Sequence, residues 1–126
     1  MTATDDLRAV AERWLADDPD PASRDELRAA IAAALSGNGD DLADRFAGPL
    51  RFGTAGLRGP LRAGPNGMNR AVVRQAATGL VTWLAAGDLA GPLVIGYDAR
   101  HGSREFAAET ARVATGAGRR ALVLPR

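Results

Sequence analysis

The chain has 126 residues, 46% of them hydrophobic, and a net charge of +1 in which all 16 basic residues are arginine. That length allows one modest domain, and the near-neutral total gives bulk electrostatics no reason to draw nucleic acid or a membrane surface. The absence of cysteine excludes disulfides and thiolate chemistry, no apolar run approaches the roughly 20 residues of a bilayer span, and the acidic start MTATDDLRAV lacks a signal peptide's basic and apolar regions, so a cytoplasmic protein is expected. Residues 4–17 read as a helix, capped by Thr4 or Asp5, with Leu7, Val10, Ala11, Trp14 and Leu15 on one face. The run DDPDP stops it, and Ser23 with Glu26 has the spacing of a capping box that opens a second helix to about Leu35. After the loop SGNG, Asp41 to Phe46 reads as a short third helix closed by Gly48-Pro49. This helical opening carries no evident chemistry and is expected to pack against the domain after it.

The pattern changes at Leu50. Leu50-Arg51-Phe52 reads as a short strand running into GTAGLRGPLRAGPNGMN, where five glycines stand among arginines. Between Asp44 and Asp88 there is no acidic residue, yet Arg45, Arg51, Arg58, Arg62, Arg70 and Arg74 fall in that window. Asn69 is a good N-cap for a helix over residues 70–86, with Val72, Val73, Ala76, Leu80, Trp83 and Leu84 facing a core and Gly87 ending it. Residues 92–97, PLVIGY, read as a buried strand. Ser103 is expected to cap a helix to about Thr115, and residues 121–125, ALVLP, form a second buried strand. Strand, helix and strand in that order predict a parallel βαβ unit. The segment YDARHGS then lies at the carboxyl end of a parallel strand, where ligands of open α/β sheets bind.

Two readings of the glycine-arginine stretch stand open on composition. Glycine lets backbone amides approach a ligand, and arginine offers a fork of donors matched to phosphate oxygens. A solvated turn with surface arginines has the same composition. The stretch is not a Walker A loop, which needs lysine, and it lacks the G-x-G-x-x-G spacing. Asp98, His101 and Ser103 do not suggest a hydrolase triad, since three residues of one turn rarely converge and no nucleophile elbow is present. Asp98 is better suited to bonding loop amides or orienting Arg100. One histidine and proline-broken carboxylates predict no metal site in the chain, and sparse aromatics give no nucleic-acid platform.

FGTAGLRG (residues 52–59), GPNGMN (64–69) and VIGYDARHGSREFA (94–107) together resemble the first domain of the α-D-phosphohexomutases, the superfamily of phosphoglucomutases and phosphomannomutases. The helical opening is most similar to the branch of phosphoglucomutase-2-like enzymes and phosphopentomutases. The resemblance implies an α/β fold, a three-layer α/β/α domain with a mixed, partly parallel sheet. It places a helical extension at 1–48 and the domain itself at 49–126. It also implies an isomerase that exchanges sugar 1-phosphate with 6- or 5-phosphate through a bisphosphate, using a phosphoserine and Mg2+, with glucose 1,6-bisphosphate as activator. By matching motifs, Arg58 and Thr54 of the Gly-Thr-x-Gly-Leu-Arg loop, Arg100 and His101 of the Tyr-Asp-x-Arg-His segment, and Asn69 are the expected contacts to a phosphorylated sugar. The family's serine loop falls after the strand matched by residues 121–125, so no catalytic residue is expected before Arg126, and the remaining mutase domains are expected to be missing. The alternative is a phosphosugar-binding module without chemistry, or a truncated product without function. The family's Asn-Arg-Met-Asn reads Asn66-Gly67-Met68-Asn69 here, and Arg62 stands where glycine is common.

Overall fold

A computed structural model describes residues 3–125. Met1, Thr2 and Arg126, the ends of the two expected domain ranges, lie outside the described residues. In chain order the elements are α1 (Ala3–Asp17), α2 (Pro21–Leu35), α3 (Asp40–Arg45), β1 (Phe52–Gly53), β2 (Gly56–Leu57), α4 (Arg70–Ala86), β3 (Leu93–Ile95), α5 (Ser103–Gly116) and β4 (Ala121–Val123). Contacts divide the chain into two units, Met1–Val72 and Val73–Arg126.

In the first unit, helical spacing puts Ala11 on one face of α1, Leu27, Ala30 and Ile31 on one face of α2, and Leu42 on α3. These bury together with Ala63 from the glycine-arginine stretch. Trp14 and Phe46 meet edge to face at its margin, 6.3 Å between ring centres. A fully buried leucine such as Leu27 or Leu42 contributes about 1.5–3 kcal/mol. The helices α1 and α2 are joined by a proline-rich turn. Asp18 accepts from the Asp20 amide, and burial pushes the Asp18 carboxyl above the usual aspartate range.

The second helix starts earlier than the Ser23–Glu26 pattern suggests. Asp20 is its N-cap, accepting from the Ala22 amide, and Pro21 holds the first helical position. Proline is preorganised there and lacks the amide that would be orphaned anyway. Ser23 is buried, its hydroxyl donating to the second oxygen of Asp20. The cap belongs to the aspartate, and the serine supports it.

The hairpin β1–β2 is antiparallel, with Phe52 opposite Leu57 and Gly53 opposite Gly56. A strand over residues 50–52 was the expectation; the return strand through Gly56-Leu57 is new, because Gly-Thr-Ala-Gly has little β-propensity to betray it.

In the second unit, β3 and β4 pair in parallel, Leu93 with Ala121 through Ile95 with Val123, and α5 between them in sequence packs on both. The parallel and antiparallel pairs form separate two-stranded sheets, and the helices and strands together make an α/β fold. Glu109 on α5 is 0% exposed and is bound by Arg74 of α4 and Arg112 one turn on. A buried carboxylate is tolerable only when so paired.

The helix α4 departs from expectation in its apolar face. Its buried residues include Val73, Ala77 and Val81, while Leu80 and Trp83 are exposed, Trp83 by 65%. Two apolar rows run along this helix, 73-77-81 and 76-80-83, and burial takes the row with the smaller side chains. Periodicity alone cannot rank two adjacent rows.

Candidate functional site

The glycine-arginine stretch is seated on the helices of its own unit by polar contacts. Arg45, at the end of α3, bonds Glu26 at 2.7 Å, Asp41 at 2.9 Å and the Ala63 carbonyl at 3.2 Å. Burial works against its charge, but the bonds to Glu26 and Asp41 more than offset this and hold its pKa above the ordinary arginine value. The Arg45 carbonyl accepts from the Asn66 amide, and the Asn66 side chain donates to the Asp44 carbonyl. Arg62 reaches Asp44 at 2.7 Å and donates twice to the Asn66 carbonyl.

Asn69 closes the stretch from inside. It is 5% exposed. Its side-chain nitrogen donates to the Arg62 and Gly64 carbonyls, both at 2.8 Å, while its oxygen accepts from the Val72 amide and so caps α4.

These bonds change the meaning of the acid-free window. Arg45 and Arg62 are neutralised by Glu26, Asp41 and Asp44, and Arg74 by Glu109. Partners that lie before or after the window in sequence enter it in space. Thr54 and Arg58 stand on or beside the exposed hairpin, and neither Arg51 nor Arg58 has an ion pair among the described residues. The fixed positive charge of the first unit's loop is thus left on its hairpin.

In the second unit the segment after β3 is organised by Asp98. One of its oxygens accepts from the Arg100 amide and the Ser103 hydroxyl, and the other from the Arg100 guanidinium at 2.7 Å. The N-cap of α5 is Gly102, with φ 82° and ψ −15°, a left-handed conformation that glycine adopts without cost. The expected cap, Ser103, instead opens the helix, and its hydroxyl is turned to Asp98. Arg100 is 86% exposed despite that tether, and His101 is exposed beside it. A cavity of about 290 Å³ lies at the carboxyl end of β3, lined by Tyr97, Asp98, Arg100 and Ser103 among others. A larger one of about 580 Å³ lies at the opposite ends of the strands. There the Arg119 guanidinium is spent on the Gly91 and Leu89 carbonyls, as that of Arg100 is on Asp98 beside the smaller cavity.

The Ser103 hydroxyl, and then the Arg100 amide, hold the Asp98 carboxyl below the usual aspartate range. A lowered folded pKa means that Asp98 contributes stability above the unfolded value and loses it as pH falls through the folded one. Ser103→Ala removes the largest cause. Its expected result is an upward move of the Asp98 midpoint in a carboxyl NMR titration, and an unmoved midpoint would refute the assignment.

Residues 49–125 match the family described as phosphoglucomutase/phosphomannomutase, alpha/beta/alpha domain I. The chain belongs to the phosphoglucomutase/phosphomannomutase family. Within it, the chain is 35% identical over 113 residues to a phosphoribomutase of Saccharomyces cerevisiae, covering 87% of this chain and 17% of the relative. A protein of Haemophilus influenzae named "Probable phosphomannomutase" is 50% identical over 60 residues, 48% of this chain and 12% of the relative. A phosphoglucomutase of Staphylococcus haemolyticus is 38% identical over 73 residues, 58% and 13%. The chain therefore spans between 12% and 17% of the length of these family members. No solved structure matches the chain significantly. Among the described residues no helix is long and apolar enough to cross a membrane, and no group of three or more His, Asp or Glu side chains could hold a metal ion.

Proposed function

We propose that this chain supplies phosphate-binding surfaces of a phosphohexomutase. Residues 1–48 act as a helical extension and residues 49–126 as the family's first domain. The whole mutase would interconvert a sugar 1-phosphate and its 6- or 5-phosphate in cytoplasmic carbohydrate metabolism. A phosphoserine gives its phosphoryl group to the free hydroxyl, and the resulting bisphosphate returns its other phosphoryl group to the serine. The observation that carries the reading is Arg58, exposed beside a glycine hairpin within the family match and without an ion pair among the described residues. Phosphoryl transfer depends on positioned charge more than on covalent chemistry, and arginine supplies fixed charge in bidentate form.

In this reading Thr54 and Arg58 are phosphosugar contacts of the first unit, and Arg100 and His101 are phosphosugar contacts of the second. Asn69 acts by holding the loop's carbonyls. The described residues do not fit a resident Mg2+, since they offer no carboxylate cluster and Asp98 is already bonded to Ser103 and Arg100. Mg2+, the nucleophilic serine and the glucose 1,6-bisphosphate activator are assigned to the whole mutase.

Calorimetry of the chain with glucose 1,6-bisphosphate is expected to give saturable heat that Arg58→Gln removes; no heat from the unsubstituted chain would overturn the binding role. In a coupled assay with glucose 1-phosphate, Mg2+ and a trace of the bisphosphate, residues 1–126 alone are expected to show no turnover. Turnover above background would place the nucleophile among them. Saturable binding without turnover is also what a non-catalytic phosphosugar module would give, and activity of the longer polypeptide separates the two.

A further inference from the structure

The register of the hairpin places a second arginine where no motif assigns one. Phe52 lies opposite Leu57 and Gly53 opposite Gly56. One step toward the base, the same register sets Arg51 opposite Arg58. One step further out, beyond the paired residues, the Leu50 side chain covers Gly59: a Cβ built on Gly59 would lie 2.7 Å from Leu50 Cδ1. Arg51 and Arg58 thus lie between the Phe52–Leu57 pair and this side-chain contact.

Directly opposite residues of an antiparallel pair share a face, and successive residues alternate faces. Leu50, Phe52 and Leu57 fall on one side of the hairpin. Arg51, Arg58, Gly53 and Gly56 fall on the other. The glycine part of that second face is open: a Cβ on Gly56 would meet nothing within 4 Å, and one on Gly53 only the Gly56 carbonyl at 3.9 Å. The alternation sets a bare backbone floor beside two arginines, one adjoining the outer end of each strand.

Like charges directly opposite on a hairpin are destabilising. Elsewhere in this unit the loop's arginines are matched to carboxylates, Arg45 to Glu26 and Asp41 and Arg62 to Asp44. Arg51 and Arg58 are not matched among the described residues. A locally unfavourable pair left unneutralised on an exposed, glycine-floored face has its compensation in a ligand of opposite charge. We propose that Arg51 and Arg58 together form a clamp for one phosphoryl dianion, seated over Gly53 and Gly56, with Arg51 a binding residue in its own right. The proposal rests on the phosphate-binding reading of Arg58 and adds Arg51 and the place of the anion.

The test is binding of inorganic phosphate and of glucose 1,6-bisphosphate, with glucose as the neutral control. It uses the unsubstituted chain, Arg51→Gln, Arg58→Gln, and Arg104→Gln as a control for net charge on an exposed residue of α5. A hydrogen-bonded charge is lost in each hairpin variant, so Arg51→Gln and Arg58→Gln are each expected to weaken both phosphate ligands about tenfold. Arg104→Gln is expected to leave affinity unchanged. Without ligand, Arg51→Gln is expected to keep or raise Tm, since it removes like-charge repulsion, while the rise in Tm produced by phosphate shrinks. A purely structural Arg51 would lower the ligand-free Tm and leave affinity alone. Unchanged affinity in Arg51→Gln beside a loss in Arg58→Gln overturns the clamp and leaves the Arg58 reading standing. Equal losses in Arg51→Gln and Arg104→Gln also overturn it, as general electrostatics. An unsubstituted chain that binds neither phosphate ligand overturns both.

Discussion

Replacing Asn69 by alanine is expected to cost about 3 kcal/mol of folding stability, from about 1 for a lost helix cap and about 1 for each carbonyl deprived of its donor. The carbonyls are those of Arg62 and Gly64, and the cap is the bond from the Val72 amide. Asn69→Asp separates the two functions of this one side chain. The aspartate keeps an acceptor for Val72 and suits the positive end of a helix, so a pure cap would tolerate it. Here its second oxygen faces two carbonyl oxygens in a site that is 5% exposed. Burial and the carbonyls both raise the folded pKa of such a carboxyl. The stability of the Asp variant relative to the Asn parent is therefore highest below the unfolded value of about 4, falls as pH rises from there to the folded value, and stays low above it. Urea titrations of the three proteins from pH 3 to 8 measure this. An Asp variant as stable as the parent at pH 7 would mean that Asn69 is a cap and nothing more.

Asn69 also marks how far the sequence could be read. The helix it caps was legible at both ends, because a polar acceptor precedes it and apolar residues recur through residues 70–86. The parallel strand-helix-strand unit was legible because runs of β-branched and leucine residues are bounded by turn residues, but the burial expected of its strands was not met: Ile95 is buried, while Val94, Leu122 and Val123 are exposed. The hairpin was not, since glycine carries no pattern and its pairing depends on register. Nor was the charge balance around it. The chain between Asp44 and Asp88 lacks acids, so six arginines look alike in sequence, yet folding pairs Arg45, Arg62 and Arg74 with carboxylates outside that interval. What separates Arg58 from Arg62 is the fold of the loop. Local pattern likewise chose Ser23 and Ser103 as caps. Pro21 and the left-handed Gly102 decided otherwise, each because its own backbone fits the position better than a serine would.

Gly67 and Arg62, the two positions at which the resemblance leads one to expect arginine and glycine, pack against each other in the same loop. Met68 donates to the Pro60 carbonyl and accepts from the Arg62 amide, which draws the two limbs of the loop together. Gly67 lies at the closest point. A Cβ there would sit 2.6 Å from the Arg62 carbonyl oxygen and 2.7 Å from Arg62 Cγ. Arg62 therefore occupies the room that an arginine at 67 would need, and it anchors the loop through Asp44 and the Asn66 carbonyl. Gly67→Arg alone is expected to destabilise the chain by about 1–3 kcal/mol, the range of overpacking in a filled site. Arg62→Gly alone is expected to cost about 1 kcal/mol, for bonds that are partly solvent-screened. The double variant Arg62→Gly with Gly67→Arg removes the side-chain half of the clash and lets the backbone at 62 relax. It is expected to be more stable than Gly67→Arg, although a further anchoring residue has been deleted. That inequality is a coupling between neighbours, and the double-mutant cycle measures it directly. Losses that simply add would show that the two positions vary independently, and that the packing of Arg62 over Gly67 has no energetic consequence.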